Sequence, residues 1–208
     1  GALGVLGGTF DPIHFGHLRL AEEACEALAL ERLHLIPAGD PPHRATPLSS
    51  ATRRLAMVQA AIADQPRFVA DDREVRASGK SYTVTTLESL RAECGPQRPL
   101  VLVLGADAFN GLAGWYQWPR LFELAHIAVA NRPGYVSHAA DWTARLPPEL
   151  AAELRKRLCD TARALQDAPA GHIFPFTMTP LDISATLIRA TLRAGRSARY
   201  LLPDSVLA

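Results

Sequence analysis

The sequence predicts an α/β domain in which a mostly parallel sheet is covered by helices on both faces. Short, continuous apolar runs alternate with longer stretches whose apolar residues recur at helical spacing. This alternation is typical of buried parallel strands linked by crossover helices. The first apolar run, residues 2–6, passes directly into two glycines, as a buried strand does when it ends in a tight loop.

The two element types follow each other along the whole chain. Strands are predicted at residues 2–6, 33–37, 68–70, 73–76, 100–104, 127–130 and 173–176. Helices are predicted at residues 15–30, from a Ser49 or Ser50 cap to residue 63, at residues 82–94, 148–165 and 184–194, and from residue 203 onward. Residues 38–48 are a proline-rich loop, and residues 134–148 form a polar, irregular excursion. The architecture is Rossmann-like, with residues 1–208 as a single domain and a C-terminal helical part at about residues 183–208.

Charge and cysteine usage exclude several classes of function. The 22 basic and 21 acidic residues nearly cancel, which argues against a surface that wraps nucleic acid. Cys25, Cys94 and Cys159 form no CxxC pair, so neither a zinc knuckle nor a disulfide framework is predicted. No apolar run approaches the roughly 18 residues of a membrane span. We expect a cytoplasmic protein that has neither nucleic acid nor membrane as a partner. Monomer and dimer stay equally open.

Ligands of open parallel sheets bind at the carboxyl ends of the strands. The first segment in such a position is GGTFDPIHFGH, residues 7–17. Its glycines allow close approach of the backbone, and the start of the following helix favours anions through free N–H groups. His14 and His17, three residues apart, can point at one anion, and Gly16 leaves room for a flat ligand. A metal site and an ordinary turn are the alternatives, but Asp11 is the only nearby third metal ligand.

A second anion site is expected at ISATLIR, residues 183–189, late in the chain. Ser184 can cap the following helix, with Thr186 in its first turn and Arg189 one turn further on. The alternative is an ordinary capped helix with a solvated arginine. The two motifs can meet only if the sheet brings them to the same edge.

A third candidate segment follows the LVLVL strand. Asp107 can accept hydrogen bonds from a ribose, or it can cap the next helix. Trp115 can stack on a flat ring, or it can belong to the core.

The string GGTFDPIHFGH resembles the signature of bacterial nicotinate-nucleotide adenylyltransferases, within the HxGH nucleotidyltransferase superfamily. HxGH alone also occurs in pantetheine-phosphate adenylyltransferases, cytidylyltransferases and class I aminoacyl-tRNA synthetases, whereas the longer string is much more specific. No GxxxxGK[ST] phosphate loop is present, which excludes a Walker-type kinase. The resemblance extends in chain order through PPHR, SYT, GAD, WY, RPG and ISATLIR and leaves residues 135–171 unmatched. The family's first arginine before RPG is replaced here by Asn131.

The resemblance implies that AMP is transferred from ATP to nicotinate mononucleotide, giving deamido-NAD and pyrophosphate in NAD biosynthesis. It implies in-line attack without a covalent intermediate, with His14 and His17 as catalytic residues. The ATP-binding residues would be Gly7, Gly8, Thr9, His14, His17, Gly105, Asp107, Arg132, Ile183, Ser184, Thr186 and Arg189. The residues binding nicotinate mononucleotide would be Phe10, Arg44, Tyr82, Thr83, Trp115 and Tyr116. Mg²⁺ would be carried by the ATP phosphates, with no metal site in the protein.

Within this resemblance Trp115 would stack on the pyridine ring. Backbone amides at Thr83 and Tyr116 would meet the pyridine carboxylate, and His17 would lie nearer the α-phosphate. Two other functions stay open. One is a different HxGH adenylyltransferase, acting on nicotinamide mononucleotide or pantetheine phosphate. The other is a non-catalytic module that senses nucleotides on the same fold.

Overall fold

A computed structural model describes residues 1–40, 46–133 and 142–207. Its centre is a sheet of six strands, all parallel, in the order β3-β2-β1-β4-β5-β6. The strands are β1 Ala2–Gly8, β2 Leu30–Pro37, β3 Phe68–Ala70, β4 Leu100–Gly105, β5 His126–Asn131 and β6 Ile173–Thr177. The order reverses between β1 and β4, which opens a crevice at their carboxyl ends. The predicted α/β, Rossmann-like fold class is confirmed.

Helices connect the strands on both faces of the sheet. They are α1 Phe15–Ala27, α2 Ala51–Ala61, α3 Arg73–Arg76, α4 Thr83–Cys94, α5 Ala106–Asn110, α6 Leu121–Leu124, α7 Pro148–Arg157, α8 Ala164–Asp167, α9 Ala185–Arg193 and α10 Asp204–Leu207. Short 3₁₀ turns lie at Leu112–Gly114 and Trp118–Arg120. The predicted cap at the start of α2 is Ser50, whose side chain accepts a hydrogen bond from the Arg53 N–H.

Alternate residues of the central strands face opposite sides of the sheet. Leu102 and Val129 pack into the apolar layer beside α4 and α7, whereas Val103 and Ala128 pack into the layer beside α1 and α2. A small third apolar cluster, built around Ile188, lies in the C-terminal part. Burial on both faces explains why these strands read as continuous apolar runs.

The predicted strand at residues 73–76 is wrong, because these residues form α3. The Asp71 carboxylate accepts hydrogen bonds from both the backbone N–H and the guanidinium of Arg73. These contacts turn the chain immediately after β3. With Val75 as its single apolar residue, the segment Arg73–Arg76 has no strand periodicity, and a short helical turn satisfies its charges locally.

Two helix boundaries also differ from the prediction. Ala29 adopts a left-handed φ of 50°, so α1 ends before it and β2 begins at Leu30. The predicted helix 148–165 is broken between α7 and α8. There the Cys159 N–H donates to the Ile173 carbonyl (3.0 Å), so the chain pairs with the start of β6. Most of the predicted excursion 134–148 lies outside the described residues.

Candidate active site

A cavity of about 260 Å³ opens at the carboxyl ends of β1, β2 and β4. It lies where the strand order reverses, which is the position expected for a ligand in this fold. The cavity gathers eight of the predicted site residues, namely Gly7, Gly8, Thr9, Tyr82, Thr83, Asp107, Trp115 and Tyr116. Residues from three separate segments of the sequence therefore share one space.

The glycines at the end of β1 have different functions. A Cβ added to Gly7 would meet no atom within 4 Å, so the cavity is open beside its backbone. A Cβ on Gly8 would lie 2.8 Å from the Phe10 ring. Phe10 itself is buried in the core with a left-handed φ of 51°. Its predicted contact with a substrate is therefore restricted to its backbone.

His14 and His17 form a reciprocal cap at the start of α1. The Gly16 N–H donates to Nδ1 of His14 (3.1 Å), and the His14 N–H donates to Nδ1 of His17 (3.3 Å). The two rings stack with centroids 3.7 Å apart. Because each Nδ1 accepts a backbone proton, each neutral ring carries its own proton on Nε2. Both histidines are thus set up as Nε2–H donors.

Burial keeps His14 neutral. Only 5% of the residue is exposed, and desolvation lowers the pKa of its imidazole to about 4. At neutral pH this ring acts as a hydrogen-bond donor without a positive charge. An anion as the partner of this ring stays a prediction, and an Nε2–H donor is compatible with it.

The structure corrects the expected use of the backbone at the start of α1. The first N–H groups are engaged within the protein: Phe15 donates to the Leu201 carbonyl, Gly16 to His14 Nδ1, and His17 to the His14 carbonyl. A Cβ on Gly16 would come within 2.9 Å of the His14 ring. Gly16 therefore makes room for the imidazole of His14. This contact explains the glycine without the flat ligand that the sequence analysis expected.

The two distant motifs meet, as the sequence required. Nη1 of Arg189 donates to the Asp11 carbonyl (2.7 Å), and Nη2 donates to the Thr186 hydroxyl (3.3 Å). The Ile183 carbonyl lies close to Gly16. Ser184 caps α9 by accepting the Leu187 N–H (3.1 Å). We call His14, Gly16, His17, Ile183 and Arg189 the histidine–arginine cluster.

The segment after β4 settles the two interpretations of Asp107. Gly105 is the cap of α5, and Asp107 lies in the first turn without capping it, exposed at the cavity. The capping interpretation is therefore wrong. Trp115 packs against the core, as one interpretation predicted, and also lines the cavity, and its stacking on a flat ring stays a prediction.

Tyr82 and Thr83, at the start of α4, line one side of the cavity and are called the aromatic wall. The wall faces Tyr116 in the segment after β4. The Tyr82 and Tyr116 rings lie 4.6 Å apart between centroids. Tyr82 precedes α4 without a side-chain cap, so the first N–H groups of α4, beginning at Thr83, have no capping side chain. The preceding Ser81 hydroxyl accepts the N–H groups of Gly39 (3.0 Å) and Asp40 (3.3 Å). This ties the wall to the loop after β2.

The predicted site residues that the structure describes but that do not line the cavity are Phe10, His14, His17, Gly105, Arg132, Ile183, Ser184, Thr186 and Arg189. Arg132 is exposed just after β5, outside the cavity lining. Its neighbour Asn131 is buried and donates to the Val129 carbonyl (3.3 Å). Arg44 and Gly134 lie outside the described residues.

Two charged residues of the site were missed by sequence reasoning. Glu74 lines the cavity, and its carboxylate accepts the Thr86 hydroxyl (2.6 Å). Burial raises the pKa of Glu74, although hydrogen bonds from Thr86 and Ser81 partly oppose this shift. Arg54 is buried beneath the cavity loops. Its only sequence signal is its position, four residues before the buried Val58 on the inner face of α2.

Across residues 1–40, 46–133 and 142–207, no three His, Cys, Asp or Glu side chains come together as ligands for a metal ion. Within the same ranges, no helix combines the length and apolar character needed to cross a membrane.

Comparisons with known proteins agree with this geometry. The sequence profile of the family described as "Cytidylyltransferase-like" matches residues 5–191. A probable nicotinate-nucleotide adenylyltransferase of Dechloromonas aromatica is 54% identical over 99% of this chain and 93% of the relative. A protein of the same description from Halorhodospira halophila is 50% identical over 98% of this chain and 90% of the relative.

A solved structure shares the fold. The nicotinic acid mononucleotide adenylyltransferase of Plasmodium falciparum, determined with APC and with NaAD, superposes with a TM-score of 0.68. The match covers 99% of this chain and 92% of that chain at 14% identity. The fold is shared at this low identity, and the curated relatives share the sequence over nearly its full length. The chain therefore belongs to the nicotinate-nucleotide adenylyltransferase family of cytidylyltransferase-like proteins.

Proposed function

We propose that this protein joins ATP and nicotinate mononucleotide at the β1–β4 crevice. The 5′-phosphate of the mononucleotide attacks the α-phosphorus of ATP, the bond to the leaving pyrophosphate breaks, and deamido-NAD forms. The observation that carries this proposal is the Arg189 to Asp11 hydrogen bond, which places the histidine–arginine cluster two residues along the loop from Thr9 in the cavity lining. The attacking group is already an anion, so no covalent intermediate and no strong general base are required.

The histidines stabilise the charge that develops on the α-phosphate. Their Nδ1 atoms accept backbone N–H groups, so their Nε2–H groups are the donors that can face phosphate oxygens. Both rings are held by the stack and the reciprocal cap, so little reorganisation is needed when charge builds up. Losing one such donor typically costs about 2.7–4 kcal/mol, or roughly a hundred- to thousandfold in rate.

The arginine side of the cluster holds the leaving group. We assign the β- and γ-phosphates to Arg189, Ser184 and Thr186, with Arg132 and Asp107 serving the rest of the nucleotide. Arg189 is tied to the Asp11 carbonyl, which orients its guanidinium beside the histidines. Mg²⁺ enters as the ATP complex and neutralises phosphate charge. Mg²⁺ usually keeps several waters and binds through substrate phosphates in sites of this kind.

The cavity holds the pyridine. Trp115 offers a face for stacking, and the uncapped N–H groups at the start of α4 suit a carboxylate better than an amide. The Tyr116 backbone supplies the opposite contact. A pyridine amide would bring N–H donors against N–H donors, which disfavours it.

Three phosphate acceptors distinguish the candidate reactions. ATP and Mg²⁺ are supplied with nicotinate mononucleotide, nicotinamide mononucleotide or phosphopantetheine, and pyrophosphate release is measured. We expect the highest kcat/KM with nicotinate mononucleotide. A preference for either other acceptor by about tenfold (1.4 kcal/mol) would overturn the assignment. Nucleotide binding without pyrophosphate release in any arm would favour a sensing module.

We place the reaction in the cytoplasm. The described cysteines are unpaired, which suits a reducing compartment where ATP is available.

A further inference from the structure

Arg54 is a buried charge beneath the candidate site. It lies on α2 with only 1% of its surface exposed. Its guanidinium donates to three backbone carbonyls: Thr9 through Nη1 (2.8 Å), Gly39 through Nη2 (3.2 Å) and Ser49 through Nε (3.2 Å). The first two carbonyls belong to the loops after β1 and β2, so one side chain fastens both loops that line the cavity.

This arginine has no ion-pair partner among the described residues. Burial lowers the pKa of Arg54, while the more distant carboxylates of Asp11 and Glu74 oppose that shift, and a guanidinium stays protonated throughout. A buried charge without a counterion is costly, and an apolar side chain of similar volume usually serves packing better. The charge therefore lies where an anionic ligand would offset its cost.

The hydrogen bonds also fix the direction of two peptide groups. In a trans peptide the N–H points opposite to the C=O. The Thr9 carbonyl points to Arg54, so the Phe10 N–H points away from it, and that N–H has no acceptor within the described ranges. Since Thr9 lines the cavity, this direction suits an oxygen of a ligand there.

The second peptide connects Arg54 to the aromatic wall. The Gly39 carbonyl points to Arg54, and the following N–H, of Asp40, donates to the Ser81 hydroxyl (3.3 Å). Ser81 precedes Tyr82 and Thr83, which line the cavity. Gly39 admits no side chain, because a Cβ there would lie 2.2 Å from the Glu74 carbonyl. The path from Arg54 to the aromatic wall is thus tightly packed.

We propose that Arg54 is a positioning residue for the mononucleotide, holding the Phe10 N–H toward its phosphate and the Tyr82–Thr83 wall toward its pyridine ring. This inference rests on the proposed function. Arg54 acts through the two loops and through its fixed positive charge, without touching substrate. Its effect falls on the mononucleotide half of the site, because the groups it orients, Phe10 and Tyr82–Thr83, are those assigned to the mononucleotide. The hydrogen bonds that fix the histidines and Arg189 do not involve Arg54.

The test removes the positive charge of Arg54 while keeping a side chain of similar length. Arg54→Met is compared with Arg53→Met, the exposed neighbouring arginine on the same helix. Circular dichroism verifies folding at the assay temperature. For Arg54→Met, we expect KM for nicotinate mononucleotide to rise about tenfold or more, with KM for ATP changing less than about threefold. Arg53→Met keeps wild-type values. A folded Arg54→Met protein with unchanged KM for the mononucleotide, or with equal rises for both substrates, overturns the inference.

A second variant keeps the test decisive if Arg54→Met does not fold. Arg54→Lys keeps the positive charge, but its ammonium group lacks the planar guanidinium that reaches three carbonyls at once. We expect an intermediate rise, about three- to tenfold, in KM for the mononucleotide. Wild-type KM in this variant contradicts the positioning role. The wild-type protein is assayed first: if it releases no pyrophosphate with nicotinate mononucleotide, the proposed function fails. If only the variants are unaffected, the inference about Arg54 fails alone.

Discussion

The variant Gly16→Ala is expected to change the position of the His14 ring, the proposed hydrogen-bond donor, much more than the stability of α1. The added Cβ would lie 2.9 Å from Cε1 and 3.0 Å from Nδ1 of His14. The imidazole is already stacked on His17 with centroids 3.7 Å apart, so it has to leave its position. The Gly16 N–H then loses Nδ1 as its acceptor, and nothing fixes the Nε2–H tautomer of His14.

The two consequences differ in size. Losing an N-cap hydrogen bond costs about 0.5–2 kcal/mol of stability, while replacing glycine by alanine in a helix returns about 0.5–1 kcal/mol. The net change in the free energy of unfolding therefore lies between a gain of about 0.5 kcal/mol and a loss of about 1.5 kcal/mol, so Tm falls by at most about 3–6 °C at this chain length. A transition-state donor of the kind proposed for His14 is worth about 2.7–4 kcal/mol, so kcat is expected to fall roughly a hundred- to thousandfold.

The assay is pyrophosphate release under saturating ATP and nicotinate mononucleotide, with thermal melting of the same samples. Gly114→Ala is the matched control, because a Cβ there meets no atom within 4 Å. We expect the control to keep its kcat. A folded Gly16→Ala protein with kcat within about twofold of wild type would refute the argument that Gly16 exists to place His14.

Two further predictions concern pH and substrate choice. Burial lowers the pKa of His126 to about 4, and this ring accepts the His172 N–H at Nδ1 and donates to the Ala168 carbonyl. The imidazole binds a proton more readily in the unfolded chain than in the folded one. The contribution of His126 to the free energy of unfolding is therefore fully present above about pH 6.5 and is lost as the pH falls toward 4. In urea unfolding, the free energy of unfolding should fall by about 2 kcal/mol more between pH 7.5 and pH 5 in the wild type than in His126→Gln. The same pH dependence in both proteins would contradict this role of His126. Glu74→Gln removes negative charge from the cavity wall and should raise the preference in kcat/KM for the acid over the amide mononucleotide by about three- to tenfold, whereas a fall in this preference contradicts it.

The sequence was sufficient for features that depend on local pattern. Continuous apolar runs such as 100–104 have to be buried on both faces, which predicts parallel strands, and the strand-end rule then selects the loops. The meeting of residues 7–17 with 183–189 followed from the same rule and is realised in the Arg189 to Asp11 hydrogen bond.

Other features depend on contacts that no local pattern reveals. Arg54 reads as one polar residue on an amphipathic helix until the carbonyls of Thr9 and Gly39 are seen around it. Gly16 read as space for a ligand, because only the folded loop shows the His14 ring beside it. The turn at residues 73–76 depends on hydrogen bonds to the Asp71 carboxylate, which only the folded chain shows.

The central claim is that Nε2–H donors at the start of α1 stabilise charge on the α-phosphate. Its most direct test is the kcat of His17→Ala with saturating ATP, Mg²⁺ and nicotinate mononucleotide, in a sample shown to be folded. We predict a loss of roughly a hundred- to thousandfold with a smaller change in KM for either substrate. Turnover close to that of the wild type would contradict the account.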